Sequence, residues 1–214
     1  MIERRIAATT HGRYLVEAPA GGGPWPLLAG FHGYGEGAEA MLERLRTIPG
    51  ADRWILVAVQ GLHRFYRRRS EDVVASWMTR QDRDVAIADN VAYVGSVAEA
   101  VAGEWPADGR IVYSGFSQGV AMAFRAAAAR GAGGVIALGG DVPPELDSPM
   151  LARVSSALIG RGLRDQWYGA ETFAADARRL REAGVHVEAA TLHASHEWTA
   201  EFSAAAGVFL ERWR

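Results

Sequence analysis

The chain has 214 residues, 49% apolar and 22% charged, which is the composition of one ordinary globular domain with a core of its own and excludes a disordered chain. Its 23 basic residues against 25 acidic ones leave a formal charge of -2, so neither nucleic acid nor an anionic membrane is indicated as a main partner. Cysteine is absent and every basic residue is arginine, which removes disulfides, thiolate metal sites, a cysteine nucleophile, lysine Schiff bases and a lysine-dependent phosphate loop.

Short β-branched or aliphatic runs alternate with longer stretches of helical period, the pattern of an α/β domain with a mostly parallel sheet. In chain order the strands are expected near 13–17, 27–31, 54–60, 110–114, 134–138, 154–159 and 185–192. Between them, helices are expected at 39–46, 84–102, 118–130, 171–183 and 199–212, with Gly184 as the stop of the fourth. The segment AGGGPWP at 20–26 reads as a turn between the first two strands. The stretch 61–83 shows no clear period, and at this length it reads as a wall of a site rather than a passive connection. No linker or repeat divides the chain, so a single domain over 1–214 is expected. No apolar run approaches the roughly 20 residues of a membrane span, and the start MIERRIAATTHGRY lacks an apolar signal core, so the expectation is a cytoplasmic protein without stable membrane association.

The strand ending Ile111-Val112-Tyr113 runs into Gly115-Phe116-Ser117-Gln118-Gly119, and an alanine-rich helix follows at once. A sharp strand-to-helix turn holds the serine with its hydroxyl projecting, and the flanking glycines leave room where the backbones cross. Ser117 would also sit at a helix N-terminus, whose free N–H groups favour developing negative charge. It is the nucleophile candidate.

A serine hydroxyl needs a base, and the base needs an orienting acid. On this strand–turn–helix scaffold the chain order is Ser, acid, His, each on a loop at the carboxyl end of a strand. Ser117, Asp165 and His196 satisfy it. His193 competes with His196 but lies at the end of a strand, where the pleat fixes its direction. Asp141, after the 134–138 strand, competes with Asp165. His193 and His196 also form an H-x-x-H pair, but no third ligand accompanies them, so no metal is expected. The oxyanion donors are expected to be the backbone N–H groups of Gln118 and of Tyr34, the latter in the glycine-rich loop after the 27–31 strand, with His32 anchoring that loop.

At these residues the chain resembles the phospholipase/carboxylesterase family of α/β-hydrolases, small serine esterases related to acyl-protein thioesterases and dienelactone hydrolases. The resemblance runs from about Leu27 to the end and rests on FHGYGEG at 31–37, GFSQG at 115–119, RGLRDQWY at 161–168 and HEW at 196–198, of which GFSQG is the most specific. It implies an α/β-hydrolase fold with helices on both faces of the sheet and no cap domain, with Ser117, Asp165 and His196 as the triad and Tyr34 and Gln118 as oxyanion donors. It implies no cofactor. The chain departs from the family in having Ala194-Ser195 before the histidine, where glycines are usual, and Tyr168 three residues after the aspartate, where valine is common. Both departures bear on substrate choice. Dienelactone hydrolases use a cysteine nucleophile, which this chain lacks.

The expected reaction is hydrolysis of a small-molecule carboxylic ester or thioester through an acyl-serine. Only 48 positions separate Ser117 from Asp165, too few for a lid domain, so an open cleft is expected. Its walls are expected from Phe65 and Trp77 in the 61–83 stretch and from Trp167, with Arg64, Arg67, Arg68 and Arg69 either meeting a substrate anion or forming a solvated surface. Two other readings stand beside this one: a binding or regulatory protein that keeps the fold without turnover, and a small serine peptidase. A homodimer through an apolar edge stays open.

Overall fold

The computed structural model describes residues 1–68 and 70–213. Arg69 of the expected arginine cluster lies outside them. In chain order the elements are β1 (Arg13–Glu17), β2 (Trp25–Phe31), α1 (Ala38–Arg46), β3 (Ile55–Gln60), β4 (His63–Tyr66), β5 (Val73–Ser76), α2 (Arg83–Glu104), β6 (Ala107–Phe116), α3 (Gln118–Arg130), β7 (Ala132–Leu138), α4 (Ser148–Leu151), β8 (Val154–Gly162), α5 (Ala170–Glu182), β9 (His186–Leu192) and α6 (Ala200–Leu210). Seven strands form one sheet in the order β1-β3-β2-β6-β7-β8-β9, and β4 and β5 form a separate hairpin. Every pairing in the large sheet is parallel except β1 with β3, where Arg13 faces Gln60 and Glu17 faces Leu56.

A parallel sheet covered on both faces needs strands that are apolar on both faces, which is why β3 is buried at every residue. Alternate residues divide between two cores. Ile55, Val57 and Val59 join Leu27, Ala29, Phe31 and Tyr113 beneath Val94, Val97 and Val101 of α2 and Val120, Met122, Phe124 and Ala127 of α3. Leu56 and Ala58 join Leu28, Val112, Ile136 and Leu138 beneath Met41 and Leu45 of α1 and Phe202 and Phe209 of α6. The parallel pairing puts the carboxyl ends of β2, β6, β7 and β8 at one edge, where ligands bind in open α/β sheets.

The stretch 61–83 is not the irregular segment the sequence suggested. It folds as the β4–β5 hairpin, with His63 opposite Ser76 and Tyr66 opposite Val73. The hairpin docks on the loop after β2 through Gly35 N–H to Ala75 O at 3.0 Å and Ala75 N–H to Glu36 O at 2.8 Å. Among the described residues nothing forms a cap domain over the sheet edge. The expectation that no segment suits a bilayer also needs correction, because α2 is long and apolar enough to cross one by length and composition. Ala86, Val94, Val97 and Val101 nevertheless pack its stripe onto the sheet and α3.

Candidate active site

β6 ends at Phe116 and α3 begins at Gln118, leaving Ser117 alone to turn the chain, at φ 52° and ψ -121°. Positive φ in a non-glycine residue is strained, and such strain persists only where the surroundings over-determine it. Two glycines make the turn sterically feasible. A Cβ at Gly115 would stand 2.6 Å from the Val120 nitrogen, and one at Gly119 would overlap the Phe31 carbonyl oxygen. The Ser117 N–H donates to Leu138 O at 2.9 Å, tying the turn to the end of β7. Ser117 remains partly exposed.

Asp165 and His196 come from the loops after β8 and β9. His196 Nδ1 lies 2.8 Å from Asp165 Oδ2, while Asp165 Oδ1 accepts the N–H groups of Trp167 at 2.8 Å and Tyr168 at 3.0 Å. Burial pushes the Asp165 carboxyl up, but the Tyr168 N–H, His196 and the Trp167 N–H outweigh it and hold the group below the ordinary carboxylate range. A carboxylate can only accept, so Nδ1 carries the proton of this bond, and in the neutral imidazole the lone pair is on Nε2. The imidazole packs 5.1 Å from the ring of Phe116, the residue before Ser117. Gly139 also lies so close that a Cβ there would be 3.1 Å from His196 Cε1, and the next residue, Gly140, abuts the Ser117 carbonyl. The fold thus gathers the Ser117 turn, His196 and Asp165 at one end of the sheet. Of the rivals, His193 is exposed, with its carbonyl accepting Arg164, and Asp141 is exposed.

The loop after β2 carries Tyr34. His32 is fully buried: its Nε2 accepts the Gly61 N–H at 3.0 Å, which leaves Nδ1 to donate to Gly33 O at 2.7 Å. Glu36 Oε2 accepts the Gly33 N–H at 2.8 Å, and both Glu36 oxygens accept Arg44 of α1 at 2.6 Å. Arg44 in turn lies 4.3 Å over the Phe116 ring. The sequence reading missed this Glu36–Arg44 clamp; its only sequence signal is an acid inside the glycine run with an arginine on the helix that follows. With Gly33 and Gly35 donating elsewhere, the Tyr34 and Gln118 N–H groups are left without acceptors among the described residues.

Burial holds the His32 imidazole below its ordinary value, although the Gly33 carbonyl and Glu36 oppose the shift. Protonation therefore favours the unfolded chain. The contribution of His32 is complete above the unfolded value of about 6.5 and is lost as pH falls through that value toward the lower folded one. The urea midpoint is expected to drop between pH 7.5 and pH 5.5, and by less in His32→Gln; an equal drop in both proteins would contradict this role.

No family model matches the sequence, and neither does any curated protein. Solved structures do match. Zea mays acyl-protein thioesterase 2 superposes with a TM-score of 0.73 at 17% identity, over 94% of this chain and 99% of that one. A phospholipase/carboxylesterase from Dyadobacter fermentans gives 0.71 at 17% identity, over 96% and 99%. A Mesorhizobium loti carboxylesterase gives 0.69 at 22% identity, over 87% and 88%. The chain has the α/β-hydrolase fold.

Placed on this fold, the expected substrate walls separate. Trp77 is a correction: it is 0% exposed, edge-on to Phe31 at 5.4 Å, and its Nε1 donates to His32 O at 2.8 Å. Aromatic bulk in an apparently irregular stretch suggested a wall, but the chain leaving β5 turns the ring inward, where it packs against the loop after β2. Phe65 stays at the surface with its ring 5.6 Å from that of Tyr34, which is 64% exposed. Trp167 is 86% exposed beside Asp165. The Gln118 side chain pins the loop after β5, its Oε1 accepting the Trp77 N–H at 3.0 Å and its Nε2 donating to Met78 O at 3.2 Å. Arg67 donates to Gly35 O at 3.1 Å and Arg64 to His11 O at 2.9 Å, while Arg68 is exposed. Among the described residues no group of three or more His, Asp or Glu gathers that could hold a metal ion.

Proposed function

We propose that this chain is a single-domain serine hydrolase that cleaves carboxylic esters or thioesters through an acyl-serine. The observation that carries the reading is Ser117, held at φ 52° on its turn directly after Phe116, whose ring packs 5.1 Å from an imidazole whose Nδ1 is bonded to a buried carboxylate. In this reading His196 Nε2 takes the Ser117 proton as Oγ attacks the carbonyl carbon. The oxyanion is met by the Tyr34 and Gln118 N–H groups, each donor worth about 3 to 4 kcal/mol. The imidazolium, stabilised by Asp165, then protonates the leaving alcohol or thiol. In the second half His196 deprotonates water, which attacks the acyl-serine and frees the acid. No step requires a cofactor.

The leaving group must lie within reach of His196. A cleft of about 440 Å³ opens there, lined by Phe116, His196, Trp198, Thr47 and Arg44 among others. The acyl group would meet the exposed Tyr34–Phe65 ring pair and Trp167 beside Asp165. A series of p-nitrophenyl esters from acetate to palmitate, beside an acyl-thioester, tests the reading. Saturable turnover with a burst of p-nitrophenol is expected for at least the short acyl chains, and no turnover of any member would contradict it.

A further inference from the structure

One hydrogen-bonded pair behind the acid loop has no part in the reaction as written. Tyr168 is 3% exposed, so it cannot wall the cleft, yet it is tied at three points. Its N–H donates to Asp165 Oδ1 at 3.0 Å, its carbonyl accepts Arg161 Nε at 3.2 Å, and its hydroxyl donates to Asp176 Oδ2 at 3.0 Å. The ring also meets Phe173 of α5 edge-on at 5.9 Å. Burial pushes the Tyr168 phenol well above its ordinary range, so the hydroxyl stays protonated and donates.

Asp176 lies on α5 and is itself buried. The oxygen that accepts Tyr168 also accepts the Val142 N–H at 2.9 Å. Arg179, one turn further on, stands 3.5 Å from the other oxygen and donates to the carbonyls of Val142, Pro143 and Leu146. Gly139, three residues before Val142, is the residue that packs against both His196 and Asp165. A single carboxylate on α5 therefore fastens the two loops that enclose the acid and base. A buried carboxylate is costly unless its bonds are made, so these bonds fix where both loops sit.

We propose that Tyr168 and Asp176 are positioning residues: their hydrogen bond fixes the 165–168 turn so that Asp165 keeps its bond to His196 through the catalytic cycle. This rests on the hydrolase reading above. Neither residue touches substrate, so their effect belongs in kcat rather than KM.

The test is a double-mutant cycle on p-nitrophenyl ester hydrolysis, with the rate of fluorophosphonate labelling as a second readout. Tyr168→Phe deletes one hydroxyl and keeps the ring. It is expected to lower kcat and the labelling rate roughly tenfold with KM within about twofold of wild type. Asp176→Leu, which removes the shared acceptor of the Tyr168 hydroxyl and the Val142 N–H at similar side-chain size, is expected to act in the same direction. In an Asp165→Asn background the group being positioned has lost its function, so Tyr168→Phe should cost less than about twofold there. A Tyr168→Phe enzyme with wild-type kcat would overturn the proposal, and so would the same tenfold loss in both backgrounds, the signature of a merely structural contribution. A wild-type protein that neither turns over esters nor labels would instead overturn the hydrolase reading, and this inference with it.

Discussion

Ser117→Ala is expected to lower ester turnover by about a thousandfold to a millionfold while leaving the fold intact. The methyl group cannot form the acyl intermediate, and the Tyr34 and Gln118 donors alone would sustain only a small residual rate. The backbone at φ 52° adds a second, independent signature. Any side chain with a Cβ is strained there, so alanine inherits the strain and only glycine relieves it. Ser117→Gly should be as inactive as Ser117→Ala yet more stable by about 1 kcal/mol. The pair is read by steady-state kinetics and urea unfolding. Activity within tenfold of wild type in either variant would remove Ser117 from the mechanism, and a Ser117→Gly protein no more stable than Ser117→Ala would remove the strain.

Gly119→Ala is expected to be the most damaging single-methyl change in the chain. The new Cβ would overlap the Phe31 carbonyl and come within 2.7 Å of the His32 carbonyl oxygen, and both atoms are backbone at the end of β2. Phe31 and His32 are fully buried, so neither can swing aside and α3 must shift off the sheet. Overpacking of this kind costs about 3 kcal/mol or more. The same shift separates the Gln118 N–H on α3 from the Tyr34 N–H on the loop after β2, so activity should fall further than the unfolded fraction explains. Gly103→Ala is the control: this exposed glycine of α2 has open space at its Cβ, and the change should add about 0.5 to 1 kcal/mol. Thermal melts and kinetics on the two variants read the contrast, and a fully stable, fully active Gly119→Ala protein would refute the packing argument.

The layout of the sheet was legible because its central strands are apolar on both faces and the long helices carry a 3.6-residue period. β1 and α3 match the expected spans, and the remaining strands and long helices lie within a few residues of them. The largest strand discrepancy is β6, which begins at Ala107 rather than residue 110, because the chain continues in strand through Gly109 at φ 86°. The β4–β5 hairpin escaped detection for a physical reason: all four residues of β4 are exposed, so no burial alternation marks it. The four residues of α4 are too few to show a helical period.

The candidate site divides in the same way. The meeting of His196 with Asp165 was readable because the chemistry demands the order Ser, acid, His, which falls here on the loops after β6, β8 and β9. What supports them was not readable. The Glu36–Arg44 clamp, the inward turn of Trp77 and the Tyr168–Asp176 bond depend on which way side chains leave their elements, and sequence spacing does not carry that information.

The central claim is that the Ser117 hydroxyl is activated by the His196–Asp165 pair. Intact-mass analysis and peptide mapping after exposure to a fluorophosphonate, run on wild type and on His196→Gln, test it most directly. A single adduct on Ser117 is expected in the wild type, with labelling slower by at least about a hundredfold in His196→Gln. An unmodified wild-type chain, an adduct on another residue, or equal labelling of the two proteins would contradict it.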